Sequence, residues 1–175
     1  MRPTSLTHLV VLKAVLISGL LLSGCVTVDP PDTMAVPLLL METSTRGGIN
    51  QGLLDRGERS LAMPISAMQI EVEETPYFSL SDLSLVHHAR VELGECLLIQ
   101  MTPAGARKLY RTSVANQGAR LVLVINDDPI GFHRFDQPIE NGNLFMFVEV
   151  PNSRLPGLIR EINETLTYMK KKEQI

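Results

Sequence analysis

The chain has 175 residues, 45% of them apolar and 20% charged, with a formal net charge of −3 and no tryptophan. That is the size of one domain with a core of its own, and the acidic balance offers no basic face for nucleic-acid phosphates. There is no internal repeat and no low-complexity tract, and of the two cysteines only Cys96 lies within the domain-sized part of the chain.

Before Cys25 there is no Asp or Glu, while Arg2 and Lys13 precede an apolar run from Ala14 to Leu22. The run matches a signal-peptide core and is well short of the ~20 residues of a spanning helix. Leu22-Ser23-Gly24-Cys25 resembles a bacterial lipobox. The resemblance implies lipidation of the Cys25 thiol, cleavage of the Gly24–Cys25 bond and acylation of the new amino terminus. Three acyl chains bury enough methylenes for permanent anchoring, whereas one chain binds marginally. Val26 stands where Asp is the inner-membrane retention signal of well-studied sorting systems, which favours the periplasmic face of the outer membrane. Loss of Arg2 and Lys13 leaves 14 basic and 19 acidic side chains, a charge of −5. Cys96 is then the sole free thiol, so no internal disulfide can form and stability comes from the core.

Val26 to Pro37 reads as an extended tether, because three prolines and two aspartates favour solvated backbone. "VPLLLME" is a first strand. "TSTRGGINQGLLDRGERS" has glycines and polar residues without apolar periodicity, so residues 38–67 divide into a strand and a flexible loop. "MQIEVEE" alternates at period two, as a half-buried strand does. "TPYFSLSDLS" gives a turn and one helical turn capped by Ser81. "LVHHARVEL" and "CLLIQM" bracket Gly94-Glu95 as a hairpin. Thr102 caps a helix with Pro103 at its first position, and Gly118 ends it. On that helix Ala106, Leu109, Tyr110 and Ser113 share one face, and Arg107, Lys108 and Arg111 the other.

"RLVLVIN" is continuously apolar, hence a strand buried on both faces. Asp127-Asp128-Pro129 turns it into "IGFHRF", and Asn141-Gly142 turns into "LFMFVEV". In the last helix Leu158, Ile159, Ile162, Leu166 and Met169 form an apolar stripe, while Lys170 to Lys172 complement its dipole. These elements indicate an α+β sandwich with helices on one sheet face.

Residues 68 to 168 resemble the head part of the first periplasmic domain of the SecD/SecDF protein-export family. The similarity is carried by "IEVEETPYFSLSDLSLVHHARV", "CLLIQMTPAGARKLYRTSVANQGARLVLVINDDPI" and "QPIENGNLFMFVEV", most specifically by "MTPAGARKLYRTSVANQG". It implies a ferredoxin-like α+β head, with an antiparallel or mixed sheet and two main helices on one face, that touches exported polypeptide. The chain departs from the family in having no transmembrane helix after Cys25, Asp128 where family hairpins often have Gly, and no counterpart of the base subdomain. The expected organisation is a signal peptide over 1–24, lipidated Cys and tether over 25–37, strand and loop over 38–67, and a head-like domain over 68–175.

Candidate chemistry is sparse. His87, His88, His133, Cys96 and Asp136 invite a metal, but adjacent side chains of a strand point to opposite faces, so His87 and His88 cannot both join one site. Cys96 opens an apolar strand and lacks the electropositive setting of a nucleophile. Glu71 and Glu73 share a strand face that keeps an edge soluble. No serine elbow or phosphate loop is present. No catalytic residue, metal or cofactor is therefore assigned. Arg107, Lys108 and Arg111 are a candidate interaction surface. The expectation is a noncatalytic, lipid-anchored module binding protein or unfolded polypeptide. Its alternatives are an envelope enzyme or ligand-binding protein with a site around His87, His88 and His133, and a structural lipoprotein bound to another envelope component.

Overall fold

The strand expected to be buried on both faces organises the molecule. In the computed structural model, which describes residues 30–43, 57–92 and 94–173, β6 (Arg120–Ile125) buries every side chain from Leu121 to Ile125. Side chains alternate across a strand, so Leu121, Leu123 and Ile125 enter one core and Val122 and Val124 another. The remaining strands are β1 (Pro37–Met41), β2 (Glu58–Ala62), β3 (Gln69–Glu73), β4 (Leu83–Val91), β5 (Gly94–Met101), β7 (Asp128–Arg134) and β8 (Asn143–Val148). The helices are α1 (Pro103–Ala115) and α2 (Leu155–Lys172).

Six strands form one sheet in the order β1-β6-β7-β8-β5-β4, antiparallel at every pairing. Both helices pack on one face, where Leu109 of α1 and Leu155, Leu158, Ile162 and Leu166 of α2 complete the larger core. On the other face lies the β2–β3 hairpin, whose Leu61, Ile70 and Val72 meet Leu40, Val122 and Val124. The fold is α+β, with three layers over the β6 side.

Several local expectations are corrected. Glu58–Ala62, read as loop, is a strand because its partner β3 supplies the pairing; the hairpin therefore crosses position 67/68, and residues 44–56 of that loop lie outside the described residues, as do Cys25 and the signal segment. Ser79, not Ser81, opens the short helical turn Leu80–Asp82, with Asp82 Oδ2 accepting from Ser79 N at 3.0 Å. Gly94 and Glu95 are strand residues paired with Val91 and Arg90. The β6–β7 reversal is made by Asn126 and Asp127, both at positive φ (51° and 70°), as a two-residue turn matched to strand twist requires. α1 ends at Ala115 rather than Gly118, and Gly118 follows at φ 87°, donating its N–H to Phe135 O at 2.7 Å.

Asn126 does a second job. Its Nδ2 donates to Met34 O at 3.1 Å, and Ala35 N donates to the buried Thr165 Oγ1 at 3.1 Å. The entering chain is thus fixed between the β6–β7 turn and α2 before β1 begins.

Candidate functional site

At the start of α1, Thr102 Oγ1 accepts from Gly105 N at 3.2 Å, and Thr102 N donates to Asp82 O at 2.8 Å. A Cβ on Gly105 would stand 2.2 Å from Asp82 O, so only glycine lets the helix approach this carbonyl. The same contact claims Lys108. Its Nζ lies 3.2 Å from Asp82 Oδ2 and about 5 Å from the ring centres of Tyr77 (5.5 Å) and Phe78 (5.0 Å). Burial alone would raise the Asp82 carboxyl, but the Ser79 N–H and Lys108 outweigh it and hold it below the usual range. Lys108 is therefore a structural cation, not part of a solvated basic face. The exposed side of α1 consists of Arg107, Tyr110, Arg111 and Val114, with Tyr110 at 43% and Val114 at 47% exposure. Tyr110 points outward where it was expected inward, and Gly105 and Thr112 take the buried face with Leu109 and Ser113.

The histidines are dispersed. His87 pairs across β5 with Leu98, and His88 with Leu97 of the helix-side core, so the two rings take opposite faces. His88 Nε2 meets Glu95 Oε2 at 2.5 Å, and Arg90 pairs with the same carboxylate. His133 sits where β7 parts from β8 and donates from Nδ1 to Phe145 O at 2.8 Å, the direction a carbonyl acceptor requires. Burial lowers its pKa, against the opposing pull of that carbonyl and of Asp136. His133 and Asp136 do share a groove of about 500 Å³ with Pro138, Asn143 and Phe145. Among the described residues no cluster of three or more His, Cys, Asp or Glu side chains is placed to hold a metal. Cys96 is fully buried, and burial followed by the Glu95 charge raises its thiol pKa.

The feature that sequence reasoning missed is a continuous row of cross-strand neighbours on the face away from the helices. It runs Leu40–Val122–Phe132–Phe147–Cys96–Ala89 across all six strands. Cross-strand partners share a face. The β2–β3 hairpin covers the Leu40–Val122 end. At the other end Phe147, with Leu98 and Phe145 of the adjoining row, is only half-buried, Leu85 is 37% exposed, and none of the four belongs to either core. Among the described residues, this half of the sheet face is apolar and partly open, around a fully buried Cys96.

The sheet edge beside it is partly closed. Asn163 of α2 accepts from Val86 N at 2.9 Å and donates to Val86 O at 2.8 Å, and Lys170 donates to Ser84 O at 2.8 Å. One amide side chain thus satisfies β4 at Val86 as a neighbouring strand would. The opposite edge, β1, is engaged where Tyr77 N donates to Leu39 O at 2.7 Å.

No family model and no curated protein sequence matches the chain. Among solved structures, SecDF, described as a membrane component that enhances protein export, superposes with a TM-score of 0.51 at 17% identity, covering 96% of this chain and 71% of that one. A second SecDF structure, in a super-membrane-facing form, gives 0.41 at 12% identity, over 93% of this chain and 33% of that one. The fold is shared with the first. Among the described residues no helix is long and apolar enough to cross a membrane.

Proposed function

We propose that this chain is a noncatalytic cell-envelope lipoprotein, anchored through Cys25 at the periplasmic face of the outer membrane, whose domain binds extended or unfolded polypeptide. The observation that carries the binding role is the open half of the sheet face. Leu85, Leu98, Phe145 and Phe147 offer apolar surface that an intact hydrophilic protein does not need and an unfolded chain can cover. Gln100, Asn143 and His87 rim it with polar groups. With Val86 and Ser84 already engaged by Asn163 and Lys170, the bound chain lies across the face rather than adding as a strand at that end of β4. The fold shared with SecDF, a protein that enhances export, supports a client of this kind, and the lipobox supports the anchor.

A photo-crosslinking residue placed at Leu98 or Phe145 should capture secreted polypeptides in cells, and the same residue at the exposed Arg160 of α2 should not. Equal capture at all three positions, or none at Leu98 and Phe145, overturns the binding site. Fatty-acid labelling tests the anchor separately: wild type should take the label and Cys25→Ser should remain unlabelled and uncleaved.

A further inference from the structure

Each outer layer of the molecule carries two exposed side chains of one charge that form no ion pair among the described residues. On α1, Arg107 and Arg111 are exposed, are one turn apart at about 6 Å of rise, and form no ion pair among the described residues. Like charges at this spacing repel, and beside them Tyr110 and Val114 are nearly half exposed. On the hairpin, Leu61, Ile70 and Val72 face inward, so Glu58, Ser60, Ala62, Gln69, Glu71 and Glu73 lie on the outer face. Glu58 and Glu71 are diagonal neighbours across the β2–β3 pairing, about 7–8 Å apart. Neither forms an ion pair among the described residues. The hairpin tip presents Ile65 at 71% exposure.

We infer that a second copy of this chain docks head to tail, the outer face of its β2–β3 hairpin lying on the outer face of α1. The two surfaces are opposite in charge, and each sets two like charges roughly 6–8 Å apart, one turn on the helix and one diagonal on the hairpin. α1 sits on the helix side of the six-stranded sheet and the hairpin on the other, so the two surfaces point away from each other and one molecule cannot satisfy both internally. Docking brings cations over the carboxylates and relieves the repulsion within each surface. A contact between two different surfaces is heterologous, so the product is a closed ring or an open row of domains stacked layer on layer.

Sedimentation of the full chain in detergent tests this. The wild-type mass should rise with protein concentration and fall back in high salt, which screens exposed charge. Arg107→Glu/Arg111→Glu and Glu58→Lys/Glu71→Lys should each stay monomeric at every concentration. Their equimolar mixture should associate again, because each reversed surface meets its reversed counterpart, and this regain also shows that both variants are folded. A wild type that is monomeric throughout overturns the inference. So does association that survives either reversal, which would belong to the acyl chains, and so does a mixture that fails to associate.

Discussion

The two halves of the sheet face away from the helices are built from the same kind of residue and end differently. Over β1 and β6, Leu40, Val122 and Val124 are sealed beneath Leu61, Ile70 and Val72. Over β8, β5 and β4 the row continues through Phe147 and Ala89 without a cover from either core. Neighbouring strands lie about 4.8 Å apart, so a two-stranded roof spans about a third of a six-stranded sheet. Apolar alternation on its own does not distinguish a core from a binding surface. What decides is whether the chain also provides enough roof.

The largest expected effect contrasts the two halves directly. Leu40→Ala, beneath the hairpin with no exposed surface, should cost about 2–5 kcal/mol. Leu98→Ala, on the open half, should cost under about 1.5 kcal/mol, since part of its side chain stays in water in the folded state. Urea unfolding midpoints measure both, and equal losses would mean that the open half is core. A smaller effect is expected at the seam between the halves. A Cβ on Gly131 would stand 2.3 Å from Phe147 O, so Gly131→Ala should push β7 from β8 at a cost of about 1–3 kcal/mol, with faster hydrogen exchange at Phe132 and Phe147. Gly157→Ala in α2, with nothing within 4 Å, should instead stabilise by about 0.5–1 kcal/mol.

The smallest effect concerns the tip of the roof. Ile65 N and Ser66 N donate to Glu149 Oε2 at 2.8 and 2.9 Å. Burial alone would raise the Glu149 carboxyl, but the Ser66 and Ile65 donors outweigh it and lower its pKa. The folded pKa is thus below the unfolded one, so the pin is at full strength above about pH 4.5 and is lost as pH falls through the depressed folded value. Protection at residues 65 to 68, relative to the intrinsic exchange rate, should fall in acid in the wild type and be low already at neutral pH in Glu149→Gln. Unchanged protection in that variant would show that the hairpin holds itself down by packing alone.

Much of this was legible in the sequence where a single strand or helix decides its own environment. The continuous run from Leu121 to Ile125, the Thr102-Pro103 start, the two-faced His87-His88 pair and the buried Cys96 all follow from local pattern. The failures have distant causes. Lys108 looks solvated because Asp82 and the Tyr77 and Phe78 rings that hold it lie more than a full element upstream. "ERSLA" has one buried apolar residue, Leu61, and becomes a strand only through β3. Thr112 and Thr165 look polar yet are buried, each returning its hydroxyl proton to the carbonyl four residues back. The open sheet half could not be read at all, since it exists only as the part of a six-strand row that the hairpin fails to reach.

The hold that Asn126 and Thr165 keep on the entering chain sets a length scale. Among the described residues, the main-chain groups held first are Met34 O and Ala35 N. If the acyl chains sit on Cys25, about ten residues separate lipid from domain, and at about 3.5 Å each they extend no further than roughly 35 Å. The domain would then patrol a shallow zone above the bilayer, hardly deeper than its own width. Any chain crossing that zone would meet the half-buried phenylalanines of a protein confined to two dimensions.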